Sequence, residues 1–134
     1  MIYFLDTNIC IFHLNNSRRN MSARLKRIPV GDIRISSIVA AELLYGAEKS
    51  SKREHNLRQC KSFLSIYEIV PFDEDAAEHY GRIRAKLEHE GTPIGSNDIM
   101  IAATALSYGS VIVTNNTGEF SRVQDLVVED WTLE

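Results

Sequence analysis

Short apolar runs alternate with longer segments of helical period along the whole chain. The runs at 2–5, 33–36, 68–70, 111–113 and 126–129 are brief, rich in Val, Ile, Tyr and Phe, and bounded by polar or turn residues. That pattern predicts buried strands. Helices are predicted at 7–14, 19–27, 38–49, 52–65, 74–90, 97–108 and 117–122. In the fifth helix Ala76, Tyr80, Ile83 and Leu87 fall on one stripe of an otherwise charged segment, with Asp73 placed to cap it and Gly91 to end it. Strands separated by helices imply βα units, hence an α/β fold with a mostly parallel sheet between helical layers. The chain has 134 residues and shows no repeat or linker, so one domain over 1–134 is expected.

Two of the strands end alike. Ile2–Leu5 stops at Asp6-Thr7-Asn8, and Val111–Val113 stops at Thr114-Asn115-Asn116. Ligands of parallel sheets bind beyond the carboxyl ends of the strands, where the strand order switches. Helix capping accounts for one polar residue per junction, each contributing about 1 kcal/mol. Three per junction point to a shared polar pocket. Two further acids stand alone in apolar company. Glu42 is the only charge between Arg34 and Glu48, on a helix that looks covered on both faces, with Ala40, Leu43, Leu44 and Ala47 on its core stripe. There it needs a proton, a basic partner or a metal. Asp98 follows Gly95, which permits a turn, and Ser96, a possible cap, and opens a nearly continuous apolar helix. The helix dipole alone favours an acid in that first turn. If Asp6, Glu42 and Asp98 converge, their repulsion calls for a cation, and an all-oxygen set suits Mg²⁺ or Mn²⁺.

Composition narrows the classes. No apolar stretch approaches the ~18 residues of a membrane span, and no basic segment precedes an apolar one at the start, so a cytoplasmic chain without membrane contact is expected. Cys10 and Cys60 lie far apart and read as buried thiols, and the four histidines form no zinc pattern. The net charge is −3, yet Arg18 to Arg34 holds six basic residues against one acid, while Asp125 to Glu134 is acidic. The basic stretch fits either phosphate contact, with Arg24 and Arg27 as RNA-binding candidates, or a solvated helix face.

The four motifs L-D-T-N, S-x-x-x-A-E-L-x-x-G, G-x-x-D-x-x-I-A-A and V-T-N-N before E-F, in this order, resemble the PIN domain. More narrowly they are similar to the VapC toxins of bacterial toxin–antitoxin pairs, over nearly the whole chain. The resemblance implies a PIN-like three-layer α/β/α fold and a metal-dependent endoribonuclease. Asp6, Glu42 and Asp98 match its acids, as catalytic residues and ligands of Mg²⁺ or Mn²⁺, and Thr7 and Asn8 its supporting polar residues. Asn116 stands where members often carry an aspartate, and Glu119, three residues on in a short helix, is placed to compensate. The implied chemistry is phosphodiester hydrolysis leaving a 3′-hydroxyl and a 5′-phosphate, on tRNA, with initiator tRNA as the narrower expectation. The implied partners are a small VapB-like antitoxin and a second copy of the chain, with higher assembly. An apolar flank around Tyr45, Leu57, Phe63 and Leu64 offers a groove for a partner helix, or else packs the chain's own core. Asn116 keeps a non-catalytic PIN-like RNA- or protein-binding module as the alternative. A receiver module would need paired acids after the first strand, and a dehalogenase-type phosphatase D-x-D, where this chain has Asn8.

Overall fold

The computed structural model describes residues 1–133. Its strands are β1 (Tyr3–Leu5), β2 (Ile33–Ser36), β3 (Glu68–Val70), β4 (Val111–Val113) and β5 (Val127–Glu129). Its helices are α1 (Thr7–Leu14), α2 (Arg19–Arg27), α3 (Ser37–Glu48), α4 (Arg53–Leu64), α5 (Glu74–His89), α6 (Ser96–Ser107) and α7 (Thr117–Phe120). A single 3₁₀ turn, Val30–Asp32, leads into β2 and has no counterpart in the sequence reading. Every predicted strand and helix forms, with ends shifted by at most two residues.

All five strands are parallel, in the order β3-β2-β1-β4-β5. The chain builds outward from β1 to β2 and β3, then returns to β1's other side with β4 and β5. The switch in strand order therefore falls between β1 and β4, where Leu5 pairs with Val113. Phe4, Leu5, Ile33, Ile35, Ile112 and Val113 are buried. They read as continuous apolar runs because helices cover both faces of the sheet at its centre. The β3 edge differs: Ile69 is exposed, so this strand has one covered face.

α5 behaves as its pattern dictates. Ala76, Ile83 and Leu87 are buried and Tyr80 half-buried. The Asp73 side chain accepts from Ala76 N at 3.0 Å. At the other end Gly91 takes φ +72°, and Thr92 N and Gly91 N donate to Leu87 O and Glu88 O. That paired arrangement closes the last turn of a helix and favours glycine in the left-handed position.

Two local expectations need correction. α6 starts one residue earlier than predicted, so Gly95, not Ser96, is its N-cap residue, and no side chain caps it. Gly95 holds φ −59°, so the turn makes no demand for glycine there. α3 is not covered on both faces. Its buried stripe is Val39, Leu43 and Ala47, with Ala40, Glu42 and Leu44 only half-buried, while Tyr45 is 64% exposed.

Candidate active site

Asp6 leaves β1 at the switch point and is also the N-cap residue of α1. Its backbone N–H still pairs with Val113 O at 2.9 Å, so the sheet fixes its position to the last peptide. The side chain is 5% exposed. Thr7 N donates to its Oδ1 at 2.8 Å, and Thr114 Oγ1, at the end of β4, donates to its Oδ2 at 2.7 Å. Thr114 Oγ1 in turn accepts from Asn116 N at 2.9 Å, which orients the hydroxyl. Burial raises the Asp6 pKa, the two hydrogen bonds oppose that, and the charges of Glu42 and Glu119 add to it.

The other acids come to the same place from three helices. Glu42 on α3 accepts from Thr7 Oγ1 at 2.5 Å through Oε1 and from Asn97 Nδ2 at 3.4 Å through Oε2. Asp98, in the first turn of α6, shares a hydrogen bond with Glu119 of α7. Burial, that hydrogen bond, and the charges of Asp6, Glu119 and Glu42 push the Asp98 pKa up to about 7. Glu119 shifts the other way, because Asn116 Nδ2 donates to its Oε2 at 2.9 Å and Asp98 supplies a second hydrogen bond. The two carboxyl groups interact directly, and the charge on one disfavours ionisation of the other. Asn8 is exposed, and its Nδ2 reaches Asn115 Oδ1 at 3.4 Å, tying the two polar junctions together.

The four carboxylates therefore interact, and Asn116 and Glu119 act as a hydrogen-bonded unit. Among the described residues no Lys or Arg forms an ion pair with any of the four. Nor do three acids, as they stand, already enclose one point for an ion. Thr7, Thr114, Asn97 and Asn116 hold the oxygens instead. A hard cation that keeps much of its water shell and takes one or two carboxylates directly fits such a set. Thr114 belongs to the polar junction that the sequence marks as part of the pocket, though without a role, whereas Asn97 was missed because nothing local marks it apart from its neighbour Asp98.

The basic stretch divides. Arg24 pairs with Glu129 of β5 at 3.2 Å, its guanidinium lies 4.8 Å over the Trp131 ring, and Trp131 Nε1 donates to the same Glu129 oxygen at 2.9 Å. Arg24 thus fastens α2 to the end of β5. Arg27 is exposed on the same helix. Arg18 stacks over Phe12 and Arg34 over Tyr108.

Beside Glu42 a groove of about 500 Å³ runs between α1, α3 and α4, lined by Ile11, Leu14, Leu43, Gly46, Ala47 and Cys60 among others. Of the apolar flank expected here, Phe63 is core, Leu57 and Leu64 are half-buried, and only Tyr45 is freely exposed.

Comparison with known proteins gives this geometry a lineage. The PIN domain model matches residues 3–126. The chain is 46% identical over 130 residues to the tRNA(fMet)-specific endonuclease VapC of Shigella flexneri, covering 97% of this chain and 98% of that protein. It is 42% identical to ribonuclease VapC2 of Rickettsia felis, covering 98% of each. Among solved structures, a chain of the DNA-bound VapBC complex of Salmonella typhimurium superposes with a TM-score of 0.92 at 44% identity, over 98% of both chains. With the family model matched over most of the chain and VapC relatives at 42–46% identity over nearly its full length, the protein belongs to the PIN domain family and, within it, to the VapC ribonucleases of bacterial toxin–antitoxin pairs.

Proposed function

We propose that the chain is a Mg²⁺- or Mn²⁺-dependent endoribonuclease that hydrolyses phosphodiester bonds in tRNA. Initiator tRNA is the substrate to test first, because relatives at 46% and 45% identity are named tRNA(fMet)-specific endonucleases. The observation that carries the reading is the convergence of Asp6, Glu42, Asp98 and Glu119 at the strand switch with, among the described residues, no Lys or Arg ion-paired to them. Asp6 and Asp98 are the residues that would hold the cation, with Glu42 and Glu119 at its flanks. When bound, it lowers the pKa of a coordinated water and polarises a phosphoryl oxygen.

The rest is work for the protein's own groups. Thr114 and Thr7 N–H keep Asp6 fixed with one oxygen to each, so its carboxylate needs no reorganisation when substrate arrives. Thr7 and Asn97 aim Glu42 across the mouth of the pocket, where an ionised carboxylate accepts a proton from water. Asn116 holds Glu119 beside Asp98, so the two carboxyl groups would meet a cation already placed.

The reading includes a partner. Free ribonuclease activity harms its own cell, and the Salmonella typhimurium and Rickettsia felis neighbours were solved as VapBC complexes. A VapB-like antitoxin segment laid in the α1–α3–α4 groove would bring a basic side chain to Glu42 and its fellow acids. A homodimer, and a higher assembly with antitoxin, complete this picture.

Purified chain is expected to cut tRNA, and initiator tRNA before unrelated RNA, with added Mg²⁺ or Mn²⁺. Cleavage that persists in excess EDTA would refute the metal dependence. A folded chain that cuts no RNA in either metal would return the non-catalytic binding module.

A further inference from the structure

A nuclease of this shape has an electrostatic difficulty: the pocket is acidic, the chain carries −3 overall, and the substrate is a polyanion. Something must neutralise the phosphates on either side of the bond being cut. Around α2, Arg24 is committed to Glu129 and Trp131, which leaves Arg27 as the exposed candidate on that helix.

A second basic surface lies elsewhere, and the sequence reading did not single it out. Between α5 and the segment after α7 a cleft of about 150 Å³ is lined by Ile83, Leu87, Leu106 and Val123 together with the polar groups of His79, Arg82, Lys86, Arg122, Gln124 and Asp125. Its three cations are exposed and come from two separate parts of the chain. Arg82 and Arg122 make no ion pair among the described residues, whereas Arg24, Arg34, Arg53 and Arg84 each do. Lys86 contacts Glu90 at 3.1 Å, an exposed i,i+4 pair of the kind worth little and readily exchanged for a phosphate. Arg82 Nη1 donates to His79 Nδ1 at 3.3 Å, which steadies the guanidinium over the cleft. Arg122 Nη1 donates to Pro93 O at 3.1 Å, and its charge is felt by Glu119 three residues earlier. The cleft and the carboxylate pocket are therefore neighbours, with Arg122 between them.

We infer that this cleft holds phosphates of the RNA strand beyond the scissile bond, through Arg82, Lys86 and Arg122. The inference rests on the nuclease reading above. Arginine forks suit phosphate oxygens, and unpaired guanidiniums beside an acid pocket attract the flanking backbone while the acids repel it.

The test uses the full chain carrying Asp98→Asn, so that RNA is bound and not consumed. Binding of a fluorescein-labelled anticodon hairpin is followed by anisotropy across a series of KCl concentrations. Arg82→Gln, Lys86→Gln and Arg122→Gln should each flatten the slope of log K against log[salt] by about 0.7, the contribution of one single-strand phosphate contact. Arg84→Gln, on the other side of α5 and paired with Glu88, should leave the slope alone. With Asp98 restored, Arg82→Gln should raise KM for tRNA and keep kcat, the signature of lost uniform binding. Unchanged slopes in all three variants, an equal change in Arg84→Gln, or no hairpin binding by the parent would each overturn the assignment. If the intact chain cuts no RNA but the three slopes still flatten, the nuclease reading falls and the phosphate surface stands.

Discussion

The two ends of the sheet handle charge in opposite ways. At the amino end Arg34 of β2 sits 3.2 Å from Glu68 of β3, with its guanidinium 5.3 Å over the Tyr108 ring. The charge there is answered twice, by an acid and by an aromatic face. At the carboxyl end Asp6, Glu42, Asp98 and Glu119 stand together with hydroxyls and amides for company and, among the described residues, no basic side chain ion-paired to them. One end is settled by its own residues. The other stores repulsion that only an added proton or cation relieves, and that difference separates a structural charge from a working one.

Asp98→Asn breaks the contrast most sharply. RNA cleavage should fall below detection, yet the metal-free chain should melt at a higher temperature at neutral pH, because a like charge has been removed. A variant that loses both activity and thermal stability would show that Asp98 serves the fold. Adding Mg²⁺ or Mn²⁺ to the intact chain should raise the melting temperature by mass action, worth about 2.7 kcal/mol at a hundred times the dissociation constant. In Asp98→Asn most of that rise should vanish, as differential scanning fluorimetry would read.

The pH dependence follows from the same crowding. Asp98 is pushed up to about 7 in the folded chain against an ordinary 3.8. Between those values the folded state binds more protons than the unfolded state, so metal-free stability should fall as pH rises from about 4 to about 7 and then level off. Asp98→Asn should flatten that descent in urea titrations, and an unchanged profile would break the link to this residue. The smallest effect belongs to the settled end. Arg34→Gln should cost about 1 kcal/mol, the sum of a surface ion pair and an exposed cation–π contact, and leave cleavage intact.

Local pattern made most of the architecture legible. β1 and β4 are short apolar runs because they are central in the sheet, and the α5 stripe follows a 3.6 period that needs no tertiary information. What was hidden depends on residues distant in the chain. Arg24 looked like a free cation because Glu129, 105 residues away, is invisible from its surroundings. The outer face of α3 looked covered because Ile38 and Tyr45 are apolar, but apolar side chains also occur on open surfaces, and Tyr45 stands in solvent. Asp6, Glu42 and Asp98 stood out as lone acids in apolar segments. Their meeting could not be read from spacing, since each sits on its own element, and it was resemblance that linked them. Glu119 was placed correctly beside Asn116 by helical spacing, whereas its bond to Asp98 depends on how α7 docks on α6.

The order of the acids along the chain has a consequence for synthesis. Position 6 leaves the ribosome well before position 119, and the N–H of Thr114, whose hydroxyl holds Asp6, is itself taken by the carbonyl of Glu129. A nascent chain therefore carries its acids scattered and inert until the final strand can close on the sheet. The assembled acid cluster exists only once β5 has been made and has joined the sheet.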